Sequence, residues 1–238
     1  MPISPARKAA FQILIAVERG SSHSGDLLRG KAVNALSAPD RHLCTALVLG
    51  VLRWQCLLDQ QLKDFLKRPG AKLDREVLIA LRMGAFQLLH LDRIPASAAI
   101  DESVELAKHT GHRFASGMVN AVLRKLAAVG AKPEPKQESP KQLAMAYAHP
   151  EWMVARWAQF YGMEAARVIC NHGQTQPTLA VRLASPNTEE ELSREGIVLE
   201  RSAMLTSARI VTSGEAAAAD ISRSGRLRIQ DEGSQLVS

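Results

Sequence analysis

Aromatic residues are scarce in this 238-residue chain, with five Phe, three Trp and two Tyr, 4% of the total. In residues 1–131 they are Phe11, Trp54, Phe65, Phe86 and Phe114, mostly on apolar helical stripes. That scarcity argues against a row of rings on which successive bases could stack. Cysteine is also sparse. Cys44, Cys56 and Cys170 are odd in number and widely spaced, which excludes a disulfide scaffold and reads as reduced thiols of a cytoplasmic protein. No apolar run reaches the ~18 residues of a membrane span. The start, Met-Pro-Ile-Ser-Pro-Ala-Arg-Lys, lacks the apolar core of a secretory signal. Cys170 with His172, and His109 with His112, have no second pair at ligand spacing, so no metal is expected.

What the chain does have is apolar residues, 46% of the total, enough for real cores. It also has a lopsided charge. Residues 1–131 hold 18 Lys and Arg against 11 Asp and Glu, a balance of +7, and the remainder carries −1. The basic character thus belongs to the first half, as expected if that half meets a polyanion. The other reading is a basic, soluble helical domain with no such partner.

The longest organised stretch is Pro39 to Arg68. Leu43, Leu47, Val51, Trp54, Leu58, Leu62 and Phe65 recur at steps of three and four, a stripe of about eight turns. Leu49, Leu52, Leu57 and Leu66 widen it, so it reads as the central helix, or a bent helix pair, of an all-helical domain, covered from several sides. Helices are predicted around it at Pro5–Arg19, Asp26–Leu36, from Asp74 to just before Ile94-Pro95, Ala98–His109 and Phe114–Val129. The proline-rich 132–140 is the linker. Residues 141–176 read as short helices interrupted at His149-Pro150 and Gly162, with Trp152, Val154, Trp157 and Phe160 as a compact cluster. In 177–238 the period changes to that of strands, in a β-α-β-β-β order. Gln230 to Ser238 begins a helix without a terminating signal, which suggests a chain cut inside an element.

Several phrases together carry a resemblance. They are Asp40-Arg41 with Leu49-Gly-Val-Leu-Arg53, Leu81-Arg-Met-Gly-Ala-Phe-Gln-Leu-Leu89, Arg93-Ile-Pro95 with Ala99-Ile-Asp-Glu102, and Val119-Asn-Ala-Val-Leu-Arg124. Farther on come His149-Pro-Glu-Trp-Met153, Tyr161-Gly162 and Ile229-Gln-Asp-Glu-Gly-Ser-Gln-Leu-Val237. This set resembles the Sun/Fmu family, the ribosomal small-subunit RNA methyltransferase B proteins, with their NusB-like N-terminal domain. The fold implied is mainly α: an all-helical NusB-like domain over 1–131, a linker, a small helical segment, and a partial ferredoxin-like α+β unit. The activity implied is transfer of a methyl group from S-adenosylmethionine to C5 of a cytosine in 16S ribosomal RNA. There a cysteine attacks C6 of a flipped base. The family's glycine-rich cofactor motif and its Pro-Cys-Ser and Thr-Cys-Ser motifs are not in these residues. They are expected beyond Ser238, and this chain alone is expected to have no catalytic residue, bind no cofactor and be inactive. The rival reading is a non-enzymatic NusB-type RNA-binding antitermination factor, which would end near Ala131.

The candidates for RNA contact are Arg7, Lys8, Arg41, Arg53, Arg113, Arg124 and Lys125, since such cations bind phosphate oxygens. Each taken singly reads first as a solvated helix face, and RNA contact is the expectation for the set together. Gln230 and Asp231 resemble the family segment beside the cofactor, and their plainer reading is a strand exit and helix cap. A monomer is expected, with 16S ribosomal RNA as its partner and no membrane.

Overall fold

Among the described residues, three helices carry a proline within their first turn, where its missing amide costs nothing. They are α1 (Pro5–Glu18), α4 (Ala38–Lys63) and α8 (Pro140–Ala146). Ser37 caps α4 by accepting from the Asp40 amide at 3.3 Å, and Ser139 caps α8 by accepting from the Gln142 amide at 3.3 Å. The computed structural model describes all residues except 1, 69, 71, 131–138, 176, 186, 215–224 and 238. Most of the linker expected at 132–140 lies outside the described residues. By contacts the chain divides into residues 1–174 and 175–238.

In the first unit, α2 (Ser24–Leu28) and α3 (Lys31–Asn34) replace the single helix expected from Asp26 to Leu36. The Gly30 amide turns back to the Leu27 carbonyl at 3.1 Å, which ends the first piece. α5 (Arg75–His90), α6 (Ala96–His109), a 3₁₀ turn (Arg113–Ala115) and α7 (Ser116–Val129) follow. α9 (Glu151–Gln174) is broken at Gly162, whose φ of 82° lies in the left-handed region.

The helix at the centre is α5, not α4. Every residue from Ile79 to Gln87 is buried, and α5 packs against α1, α4, α6 and α7. Small residues (Ala80, Gly84, Ala85) let its neighbours approach closely. α4 buries Cys44, Leu47, Val48, Val51, Leu58 and Leu62, while Leu49 is 41% exposed and marks its outer edge. Two polar side chains are absorbed into α5's surroundings. Arg82 binds both oxygens of Asp59, at 2.7 and 2.8 Å, and Glu18 at 3.3 Å. Burial works against its charge, but the Asp59 and Glu18 partners outweigh that and raise its pKa. His90 stacks between Trp54 and Phe86, with centroids 4.6 and 5.2 Å away, and burial lowers its pKa.

The aromatic cluster expected at 152–160 is divided by the helix. Val154 and Trp157 face a small core with Leu143, Ala144, Ala166 and Cys170, whereas Trp152 and Phe160 are 64% and 66% exposed. Positions 152, 156 and 160 share one outward face, and Arg156 lies 5.9 Å from the Phe160 ring centre.

Among the described residues, the second unit forms an antiparallel four-stranded sheet in the order β2-β3-β1-β4. Its elements are β1 (Leu179–Leu183), α10 (Asn187–Arg194), β2 (Val198–Arg201), β3 (Ala208–Ser213), β4 (Leu227–Ile229) and α11 (Glu232–Val237). Val181 pairs with Arg209 on one side and Ile229 on the other. Val181, Leu192, Ile197 and Leu227 form its core, with α10 supplying Leu192.

Candidate nucleic-acid interface

The N-terminal turns of α1, the last turns of α6 and the 3₁₀ turn meet around a cleft of about 380 Å³. α6 ends in a Schellman arrangement. Gly111, at φ 92°, donates to the Lys108 carbonyl at 3.1 Å, and the His112 amide donates to Ala107 at 3.0 Å. That reversal carries Arg113 back beside Lys108 and His109, and all three line the cleft with Lys8 and Glu105. Cations in the last turn of a helix are favoured by its dipole. Glu105 is already engaged by Lys108 at 2.7 Å. Its carboxyl is held below the usual range chiefly by that hydrogen bond, with the charges of Lys108 and Arg113 adding to it against a cost of burial. Lys8 and Arg113, both exposed, therefore leave the cleft with a surplus of positive charge. Such a surface suits phosphate oxygens.

Of the candidates read from the sequence, Lys8 and Arg113 are brought together here across 105 positions. Arg7 is corrected. Its side chain is 8% exposed and donates to Gln87 Oε1 at 2.6 Å, Glu102 Oε1 at 2.8 Å and Ser4 Oγ at 3.1 Å. Glu102 also accepts from the Ser4 amide at 2.8 Å, so the pair ties α1, α5 and α6 together. Burial lowers the Arg7 pKa, and the charge of Glu102 opposes that shift. Arg41 is half-buried, with Nη1 3.5 Å from the Asn34 carbonyl, and Arg53 is half-buried on α4. Arg124 and Lys125 are exposed on α7, Arg124 donating to Asn120 Oδ1 at 3.0 Å. These four do not line the cleft.

Three residues at this end escaped sequence reasoning. Lys108 and His109 sit in the last turn of a helix just before a glycine, which was the available signal. Phe114, where the spacing predicts the start of the last helix, stands 79% exposed in the 3₁₀ turn immediately after Arg113.

In the second unit, Asp231 Oδ1 accepts from the Gly233 amide at 2.8 Å and the Ser234 amide at 3.4 Å. It caps α11, and Gln230 donates to the Ser234 carbonyl at 3.2 Å. S-adenosylmethionine needs free amides at a glycine-rich turn from strand to helix. The turn from β4 to α11 is Gln230-Asp231, without glycine; the Gln230 amide donates to the Ala180 carbonyl at 3.1 Å, and the Gly233 and Ser234 amides of α11 already face the Asp231 carboxylate. These residues do not fit that cofactor. Among the described residues no helix is long and apolar enough to cross a membrane, and no group of three or more His, Cys, Asp or Glu could hold a metal ion.

The helical fold of the first unit is that of an all-helical domain of the NusB type. The chain belongs to the NusB family, whose pattern matches residues 4–128. Over its whole length it is similar to the probable ribosomal RNA small subunit methyltransferase B of Bacillus subtilis (strain 168). That relative is 34% identical over 245 residues, covering 100% of this chain and 55% of that protein. The ribosomal RNA small subunit methyltransferase B of Thermus thermophilus is 35% identical over 158 residues, 66% of this chain and 36% of that protein. The crystal structure of PH0851 has the same fold at a TM-score of 0.70 and 18% identity, covering 99% of this chain and 55% of that one. The resemblance read from the sequence is borne out. The chain spans about half the length of the curated relatives it matches.

Proposed function

We propose that the helical domain is the RNA-binding, targeting part of a longer ribosomal RNA methyltransferase acting in the cytoplasm on C5 of a cytosine in 16S ribosomal RNA. The observation that carries the RNA reading is the convergence of Lys8, Lys108 and Arg113 on one cleft whose carboxylate, Glu105, is engaged by Lys108. The methyltransferase reading is supported by the names of relatives that match residues on both sides of position 131. S-adenosylmethionine and the cysteine chemistry are assigned to residues beyond Ser238. Accordingly, calorimetry on the 238-residue chain is expected to show no uptake of S-adenosylmethionine, and micromolar binding would overturn that assignment.

The RNA reading is tested by anisotropy titrations with 16S ribosomal RNA fragments at a series of salt concentrations. Affinity should fall with salt at a log-log slope of about −0.7 to −0.9 per phosphate neutralised. Replacing Lys8, Lys108 and Arg113 together by Ala should make that slope shallower by roughly two, with helix content unchanged. An unchanged slope would place the RNA elsewhere.

A further inference from the structure

We propose that Phe114 is a stacking platform for one unpaired base, so that the cleft takes single-stranded or looped RNA in preference to continuous duplex. This rests on the RNA reading above.

Phe114 is 79% exposed. A lone exposed ring needs no explanation by itself; its position in the chain is what points to a partner. Its surroundings say what kind. Arg113 precedes it and lines the cleft with Lys8 and Lys108, whose charge fits a phosphate backbone and not an apolar peptide. Phe114 does not itself line the cleft, but a base attached to a backbone held at Arg113 offers a flat π face to the exposed ring of the next residue. A base inside a continuous duplex has no such face to give.

The turn that carries the ring is also held in place. On one side, His112 lies with Nδ1 3.3 Å from Asp74 Oδ2 and Nε2 3.6 Å from Glu76 Oε2. On the other, Ala115 is buried and its amide donates to the His112 carbonyl at 3.0 Å, while Ser116 Oγ donates to the Arg113 carbonyl at 2.7 Å. Phe114 thus projects from a turn pinned at both ends. The His112 ring meets it edge-on, with centroids 5.7 Å apart and planes at 73°. A pre-positioned ring loses little freedom when a base lands on it.

The test uses the whole 238-residue protein, a single-stranded RNA carrying 2-aminopurine and the same sequence as a duplex. Wild type is expected to bind the single strand more tightly and to quench the 2-aminopurine. Phe114→Ala should abolish the quench and weaken single-strand binding roughly 5- to 150-fold, the loss of one base–aromatic stack. It should leave the salt slope and duplex affinity unchanged. Phe114→Trp should restore quench and affinity, and Phe114→Leu should not. Unchanged single-strand binding by Phe114→Ala, or full rescue by Leu, overturns the platform while the cationic cleft stands. Binding of neither RNA by wild type overturns the platform together with the RNA reading.

Discussion

A step of one residue turns a helix by about 100°, and at positions 7 and 8 that step separates a buried guanidinium from an exposed ammonium. Composition records two cations and says nothing about which faces inward. What decides it is a glutamine 80 positions away and a glutamate 95 positions away, which the fold brings to Arg7. Removing one partner of a buried pair strands the other charge. Arg7→Ala should therefore lower the unfolding free energy of the helical unit by about 3–5 kcal/mol, read as a shift in the urea midpoint. Lys8→Ala should stay within about 0.5 kcal/mol of wild type while weakening RNA binding. An Arg7→Ala variant of undiminished stability and reduced RNA affinity would return Arg7 to the interface.

Whole elements were more legible than single side chains. The break at Gly162, the strand period after 178 and the inward stripe of α7 could all be read, because they rest on local spacing. The identity of the central helix could not. α4 displays a long amphipathic stripe, whereas α5 hides its centrality behind Arg82 and Gln87, polar residues buried only because distant partners satisfy them. The close contact of these two helices depends on Gly50. A Cβ there would lie 1.9 Å from Cζ of Phe86, inside the core. Alanine normally gains about 1 kcal/mol over glycine within a helix, but overpacking costs ~1–3 kcal/mol, and a ring enclosed by α5's neighbours has little room to yield. Gly50→Ala should thus lower the melting temperature. Gly117→Ala, at a helical position with open space around it, should hold or raise it. If both glycines respond alike, propensity and not packing governs the α4–α5 contact.

At the scale of the whole molecule, charge and buried core divide at the same place. Residues 1–174 hold 23 Lys and Arg against 15 Asp and Glu, and residues 175–238 hold 7 against 9. A polyanion should therefore be held by the first unit, which also contains the cationic cleft. The second unit is small for independent stability. Among the described residues its core is Val181, Leu192, Ile197 and Leu227, against the far larger core of the helical unit. Deleting a fully buried leucine typically costs ~2–5 kcal/mol, a large share of what a domain of that size can hold. Leu192→Ala should consequently melt the sheet unit at the temperature where wild type is folded, and leave the main helical transition in place. Hydrogen exchange resolves the two: amides of β1 and β3 should lose protection while those of α5 keep theirs. RNA affinity and its salt slope should be unchanged in the same variant, since α1, α6 and the 3₁₀ turn lie wholly in the other unit. Loss of protection in α5 alongside the strands would show that the two units unfold as one. Loss of RNA affinity with α5 still protected would show that residues 175–238 contribute to the interface.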